Sequence, residues 1–353
     1  MTVRNQHTAA EAAAPLVVEL DDPRWHSFVG SRRDALSFHH PAWAALVADC
    51  YGYRALAVAL QASDGGVVAG TPVVEVKDPL RPRRWISLPF TDECPLLADA
   101  DASGTLGAAL RTAALNEGVK SLELRTRIAA GRGGEYVAGV THELALEADA
   151  DAVHRRLHPS QVRRNIRRAE REGVRVQRAE RARDVVDTYY ALHLRTRRRL
   201  GVPPQPRRFF RLLWERMLEP GLGFALLAYL DRTPVAGAVF LSWNSRITYK
   251  FGASDPVHWR LRPNHTIFWN AIHWGCENGF QMLDFGRSAL EDTGLRAFKG
   301  SWGTEERPIV YTTLVGSARH TRRAPSRAAA VILRRAPLWV CRGVGTALYR
   351  YAA

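Results

Sequence analysis

The sequence predicts an α/β chain (in the looser sense, α+β) built from two related modules with mixed sheets, joined by a basic helix and followed by a basic tail. Three observations predict it. A hairpin of two β-rich runs, a further strand, a helix and a closing strand occur in that order twice. Val68-Ala69-Gly70 in the first half reappears as Val235-Ala236-Gly237, and the run from Gly118 to Leu124 reappears from Gly279 to Phe285, at offsets of 167 and 161 residues. Agreement of order and spacing reads as one duplication with a small deletion. Finally, 353 residues with 46% hydrophobic content exceed one ordinary core and suffice for two.

The elements follow in order. Residues 1–15 are polar and Ala-rich without an apolar stretch, which predicts a disordered lead and no signal peptide. Leu20 to Gly52 reads as two helices, with Trp25, Phe28 and Val29 on one face and Trp43, Leu46 and Val47 following Pro41. Strands are expected over Ala55 to Leu60 and Val67 to Val76, around the turn Ser63-Asp64-Gly65-Gly66, and again over Arg84 to Pro89. Thr105 to Glu117 is a helix stopped by Gly118, and Ser121 to Arg125 a strand. The second copy places strands at Phe224 to Leu230 and Val235 to Trp243 around Asp231-Arg232-Thr233-Pro234, then at Ile247 to Phe251. Asp255 to Asn264 holds two prolines and is expected to be irregular, Thr266 to Glu277 helical, and Phe280 to Phe285 a strand. The resulting divisions are a first module over 16–150, a basic hinge helix over 151–180, a second module over 181–317 and a tail over 318–353.

Charge narrows the partners. The net charge of +15 makes polyanions plausible: RNA, nucleotide phosphates or an anionic membrane face, with no DNA partner expected. Between Arg155 and Arg216 there are 19 Arg against six acidic residues; there Val162, Ile166 and Ala169 mark the inner face of a helix and Arg163, Arg164 and Arg167 the outer faces. That run reads either as a solvated face or as a wall of bidentate phosphate donors. From Ser317 to Ala353 there are eight Arg and no acid, interleaved with apolar residues, which suits either an amphipathic helix on an anionic bilayer or a helix packed back on its module. Only four basic residues are lysine (Lys77, Lys120, Lys250 and Lys299), and two fall between Tyr249 and Glu305. Lysine, unlike arginine, can shed a proton and act in chemistry.

Several chemistries are excluded. Cys50, Cys94, Cys276 and Cys341 are scattered, so neither a zinc site nor a disulfide framework is expected and a reducing, cytoplasmic compartment is. No metal site is expected from the histidines, which lack acidic partners at ligand spacing. No nucleophile elbow, phosphate-binding Gly-x-x-x-x-Gly-Lys loop or dinucleotide fingerprint occurs, and no apolar run is long enough to span a membrane. What remains is the polar cluster Asp284-Phe285-Gly286-Arg287-Ser288 just past a strand, followed by Lys299 within Phe298-Lys299-Gly300-Ser301-Trp302-Gly303. An α/β protein keeps its site at such a place.

The twofold order resembles the tandem acyltransferase fold of the Fem-type peptidyltransferases, two GNAT-like domains that move an aminoacyl group from aminoacyl-tRNA to an amine of a peptidoglycan precursor. The detail is similar to the FemAB-related, BioF2-like group found beside exopolysaccharide and exosortase gene sets. The residues that carry the resemblance are Phe38-His39-His40-Pro41-Ala42-Trp43, Ser87-Leu88-Pro89-Phe90 and Arg163-Arg164-Asn165-Ile166-Arg167-Arg168-Ala169. Phe251-Gly252-Ala253-Ser254, Leu261-Arg262-Pro263-Asn264, the 284–288 cluster, Phe298-Lys299-x-x-Trp302-Gly303 and the segment 333–339 complete the set, so that it spans nearly all of 24–350. Two departures stand out. No heptad-rich tRNA-binding arm is inserted, and His258 to Asn264 lacks the glycines with which GNAT enzymes cradle the CoA pyrophosphate, Pro263 removing one amide besides.

The resemblance implies an N-acyltransferase with no tightly bound cofactor. Its donor would be aminoacyl-tRNA, or alternatively an acyl-CoA, and its acceptor an amine on a phosphate-bearing small molecule or lipid-linked compound of the cell envelope or of secondary metabolism. Lys299 would stabilise the oxyanion or carry a proton, the alternative being an exposed loop lysine; Asp284 would orient the acceptor amine or merely cap a strand. Arg287 and Ser288 would hold an acceptor phosphate or carboxylate, and Arg163, Arg164 and Arg167 a nucleotide, tRNA or lipid phosphate. Tyr249, Lys250, Asn264 and Trp302 would line the cleft, the aromatic pair alternatively belonging to the core. A catalytically silent adaptor docking on membrane or RNA, peripheral to the inner face of the plasma membrane, is the non-enzymatic alternative.

Overall fold

The computed structural model describes residues 14–78, 81–128, 134–317 and 327–352. The expected disordered lead lies outside these residues except at its end, where Ala14 and Pro15 already belong to a strand. Contacts divide the chain into two compact units: one holds the residues up to Ala48, Gly52–Tyr136 and the stretch from Val310 to the end of its strand, the other chiefly Val137–Ile309 and the C-terminal helices.

In the first unit the elements are β1 (Ala14–Glu19), α1 (Pro23–Ser31), α2 (Pro41–Tyr51), β2 (Arg54–Gln61), β3 (Val67–Asp78), β4 (Arg81–Ser87), α3 (Ala102–Asn116) and β5 (Ser121–Leu124). Both opening helices begin on a proline, whose missing amide costs nothing at that position. The Asp22 carboxylate accepts the Arg24 amide and the His40 ring the Ala42 amide, so each helix start is capped. β1, β2, β3 and β4 run antiparallel in that order, and β5 lies parallel to β4 with Trp85 opposite Leu122. Trp25, Trp43 and Trp85 are wholly buried, and α3 contributes Leu106 and Leu110 to the core.

The second unit contains β6 (Glu135–Ala145), α4 (Ala150–Arg156), α5 (Arg164–Arg171), β7 (Val174–Arg178), α6 (Tyr190–Leu200), α7 (Arg207–Leu213), β8 (Gly223–Leu230), β9 (Thr233–Trp243) and β10 (Arg246–Ser254). It continues through α8 (Pro263–Glu277), β11 (Met282–Asp284), α9 (Thr293–Gly300), the start of β12 (Glu305–Val315, which from Val310 on belongs to the first unit), α10 (Arg327–Arg335) and α11 (Leu338–Leu348). β7, β8, β9 and β10 are antiparallel neighbours and β11 is parallel to β10, which repeats the pairing of β1 to β5. The repeated tripeptides fall on β3 and β9, and the repeated seven-residue runs lead into β5 and β11.

The closing strands are exchanged in sequence, which the repeat did not reveal. β6 follows the first module in the chain but pairs with β11, whereas β12 follows the second module but pairs with β5. The basic helix falls inside the second unit: a π-helical turn at Pro159–Arg163 runs into α5, with Val162, Ile166 and Ala169 buried as their spacing requires. Two local expectations need correction. Pro256–Leu261 is a regular 3-10 helix, because Pro256 sits in its first turn and Asp255 caps it, and α8 starts at Pro263 rather than Thr266. Lys299 lies in the last turn of a helix, α9, because Asp292 caps its start and the glycines fall at Gly294 and Gly300, close to the ends.

Candidate active site

β10 and β11 pair for only three residues, Arg246–Thr248 against Met282–Asp284. Immediately beyond, the register of β10 against β9 slips between Tyr249 and Phe251, so Lys250 is the extra residue of a bulge. Past this bulge β10 no longer bonds to β11. A cavity of about 130 Å³ lies there, lined by Gly237 and Ala238 of β9, Tyr249 and Gly252 of β10, and Asn264 and Phe268 of α8, with Thr196 and Arg199 from α6. Gly252 is required: a Cβ in its place would run into the Tyr249 hydroxyl. Burial pushes the Tyr249 phenol up to about 12, so it meets the cavity as a neutral hydroxyl. Lys250 is half-buried, its ammonium 5.7 Å from the centre of the Phe251 ring.

The turn after β11 is held from both sides. Asp284 is 7% exposed, and its Oδ1 accepts the Thr141 hydroxyl at 2.6 Å and the Gly286 amide at 2.7 Å. The Gly286 carbonyl in turn accepts the Lys299 ammonium at 2.6 Å. One residue, Gly286, thus links the carboxylate and the lysine through its amide and its carbonyl, and Lys299, at 2% exposed, is no loop lysine. On the other side β6 bonds to the turn through its backbone, with Phe285 donating to the His142 carbonyl and Val140 and Ser288 exchanging two hydrogen bonds. Gly139, at φ 153°, permits this approach, since a Cβ there would strike the Ser288 carbonyl oxygen.

Charge is concentrated beside this turn. His142 is buried, its Nε2 3.1 Å from Glu306, and burial together with the charge on Lys299 lowers its pKa, so it is neutral at pH 7. Arg296 binds Glu306 through two hydrogen bonds of 2.8 and 2.9 Å and depresses that carboxyl. Glu143 accepts both Arg246 and Arg307, and these bonds outweigh the upward push of burial.

The residues singled out from sequence therefore fall into groups. Asp284 and Lys299 are brought together through Gly286, and Tyr249 and Asn264 share the cavity. Phe268 joins the two places: its ring centre is 4.8 Å from Tyr249 and 4.8 Å from Phe285, and 5.6 Å from Trp302. Trp302 has no exposed surface and sits in this aromatic cluster. Arg287 turns back to donate to the Ala138 carbonyl at 2.5 Å, and the Ser288 hydroxyl is buried without a partner among the described residues. Arg164 and Arg167 are exposed on α5 and Arg163 is half-buried, and none of the three lines the cavity. The sequence reading missed Thr141, His142, Glu306 and Phe268. The period-two pattern of Val140-Thr141-His142-Glu143-Leu144 could have flagged a strand, but not its partner about 140 residues away.

A hairpin, a third antiparallel strand, a helix and a parallel strand that parts from its neighbour at a bulge define an acyltransferase fold of the GNAT type. Residues 154–299 match the acetyltransferase (GNAT) domain family. Among solved structures the chain is similar to FemX, at 17% identity and a TM-score of 0.66 over 85% of this chain and 97% of that one. It is similar also to the C-terminal (DUF2156) domain of a putative lysylphosphatidylglycerol synthetase from Agrobacterium fabrum, at 13% identity and a TM-score of 0.56 over 88% of this chain and 93% of that one. L-PGS from Bacillus licheniformis gives 13% identity and 0.54 over 90% and 97%. These likenesses show a fold of the Fem-like GNAT group; no curated protein matches the chain. Among the described residues no helix is long and apolar enough to cross a membrane.

Proposed function

We propose that this chain is an N-acyltransferase whose second unit receives the acyl end of its donor in the cavity between β10 and α8 and passes it to an acceptor amine of the cell envelope or of secondary metabolism. The observation that carries the reading is the parting of β10 from β11 at the Lys250 bulge, where the cavity lies, with Phe268 of its wall stacked on Phe285 in the turn that Asp284 and Lys299 hold. Aminolysis passes through a tetrahedral oxyanion, and a fixed cation in a site shielded from water stabilises such a charge strongly. Lys299 is the group for that work, and Asp284 fixes the turn from which it acts.

Aminoacyl-tRNA is the favoured donor. A CoA pyrophosphate needs free backbone amides ahead of the long helix. Here the amides of Val257, His258, Arg262 and His265 are already bonded within the segment, and Pro263 has none. The FemX-like fold agrees with that choice, whereas the acetyltransferase family match favours acyl-CoA as the second reading. Thermal-shift titrations of the full chain separate them. Charged tRNA is expected to raise the melting temperature saturably and acetyl-CoA to leave it unchanged; the reverse result replaces the first reading with the second.

A further inference from the structure

The C-terminal helices carry an outward face that the acyl-transfer reading does not use. α10 and α11 pack on α6 through Leu333 and Cys341, which are buried against Leu194, and Gly345 comes too close to the Pro204 carbonyl to accept a side chain. Large apolar side chains nevertheless stand exposed on both helices. Trp339 is 74% exposed, Ile332 66% and Leu348 53%, where side chains of this size are ordinarily covered. Arg335 and Arg342, three residues on from Ile332 and Trp339 along α10 and α11, are exposed as well, and no acidic residue occurs from Ser317 to the end of the chain.

We infer that this face docks on the surface of an anionic lipid bilayer. Exposed tryptophan and aliphatic side chains bordered by arginine, lying on two short helices rather than one spanning segment, match the interfacial mode of binding. The apolar groups enter the boundary between headgroups and acyl chains, while the guanidinium groups pair with lipid phosphates and the negative surface potential draws in their positive charge. RNA would account for the arginines, but not for Ile332 and Leu348, which offer a phosphate backbone nothing. The inference is independent of which acyl donor the second unit takes.

Flotation of the full chain with phosphatidylglycerol/phosphatidylcholine vesicles and with phosphatidylcholine vesicles tests it. The chain is expected to float with the first and not the second, and added salt should weaken the binding. Ile332→Ser with Trp339→Ser should lower the bound fraction about tenfold, and Arg335→Glu with Arg342→Glu about as much, through loss of buried apolar area and of surface attraction respectively. Because all four side chains are exposed, unchanged melting temperatures should show that the variants are folded. Failure to float with anionic vesicles, or equal flotation of the variants, would overturn the inference. So would binding of tRNA that these substitutions abolish while flotation persists, or a dimer that they dissociate.

Discussion

Lys299→Ala is expected to lower kcat by about 10²- to 10³-fold, the range in which removal of one preorganised oxyanion-stabilising group falls. The physical basis is the burial of Lys299 and its bond to the Gly286 carbonyl, which fix the ammonium and spare it reorganisation during the reaction. A lysine acting on the transition state should change kcat with little effect on KM. If instead the side chain only braces the turn, the loss should appear mainly as raised KM and reduced stability. Lys299→Met, which keeps the length of the side chain without its charge, should be about as slow as alanine. Lys299→Arg preserves charge but cannot surrender a proton at neutral pH, so partial recovery there assigns an electrostatic role and no recovery a proton-carrying one. Steady-state kinetics of the four proteins with saturating donor give the distinction.

Phe268→Ala carries the largest expected effect on stability, about 3–5 kcal/mol, the cost of emptying a buried aromatic site. Phe268 is 4% exposed, and its ring stacks on Phe285 at 4.8 Å and 17° while touching Tyr249, Phe298 and Trp302. Collapse around the void is limited, since these neighbours belong to β10, α9 and the turns after β11 and α9, each fixed by its own hydrogen bonds. Urea denaturation followed by tryptophan fluorescence would measure the change. A loss below about 1 kcal/mol would place the ring outside the packed core. Because Phe268 also lines the cavity, donor affinity should fall together with stability.

The local pattern of the chain was legible because it depended on neighbours in sequence. The faces of α1 and α2, the hairpins, the helix stop at Gly118 and the inner side of α5 follow from periodicity and turn chemistry. The repeat carried further, since matching tripeptides mark equivalent strands in both units. What stayed hidden depends on distant pairing. β6 and β12 cross over to close each other's sheets, and neither offers a local signal of its partner. For the same reason Thr141 and His142 were invisible as neighbours of Asp284 and Lys299. Arg287 looked like a ligand for a phosphate because it follows a strand end, yet nothing in its local sequence reveals that the Ala138 carbonyl lies within reach.

The central claim is that the cavity between β10 and α8 takes the acyl end of the donor, and equilibrium binding at that place tests it most directly. Asn264 is half-buried at the cavity wall on the second residue of α8, so Asn264→Trp should fill the space with little disturbance to the core. The measurement is the affinity of the full chain and of this variant for pooled aminoacyl-tRNA, the same pool after deacylation, and acetyl-CoA. The account predicts that the parent chain binds the acylated pool more tightly than the deacylated pool and that Asn264→Trp erases the difference. Equal affinity for both pools with no binding of acetyl-CoA, or an acyl preference that survives Asn264→Trp, would contradict it.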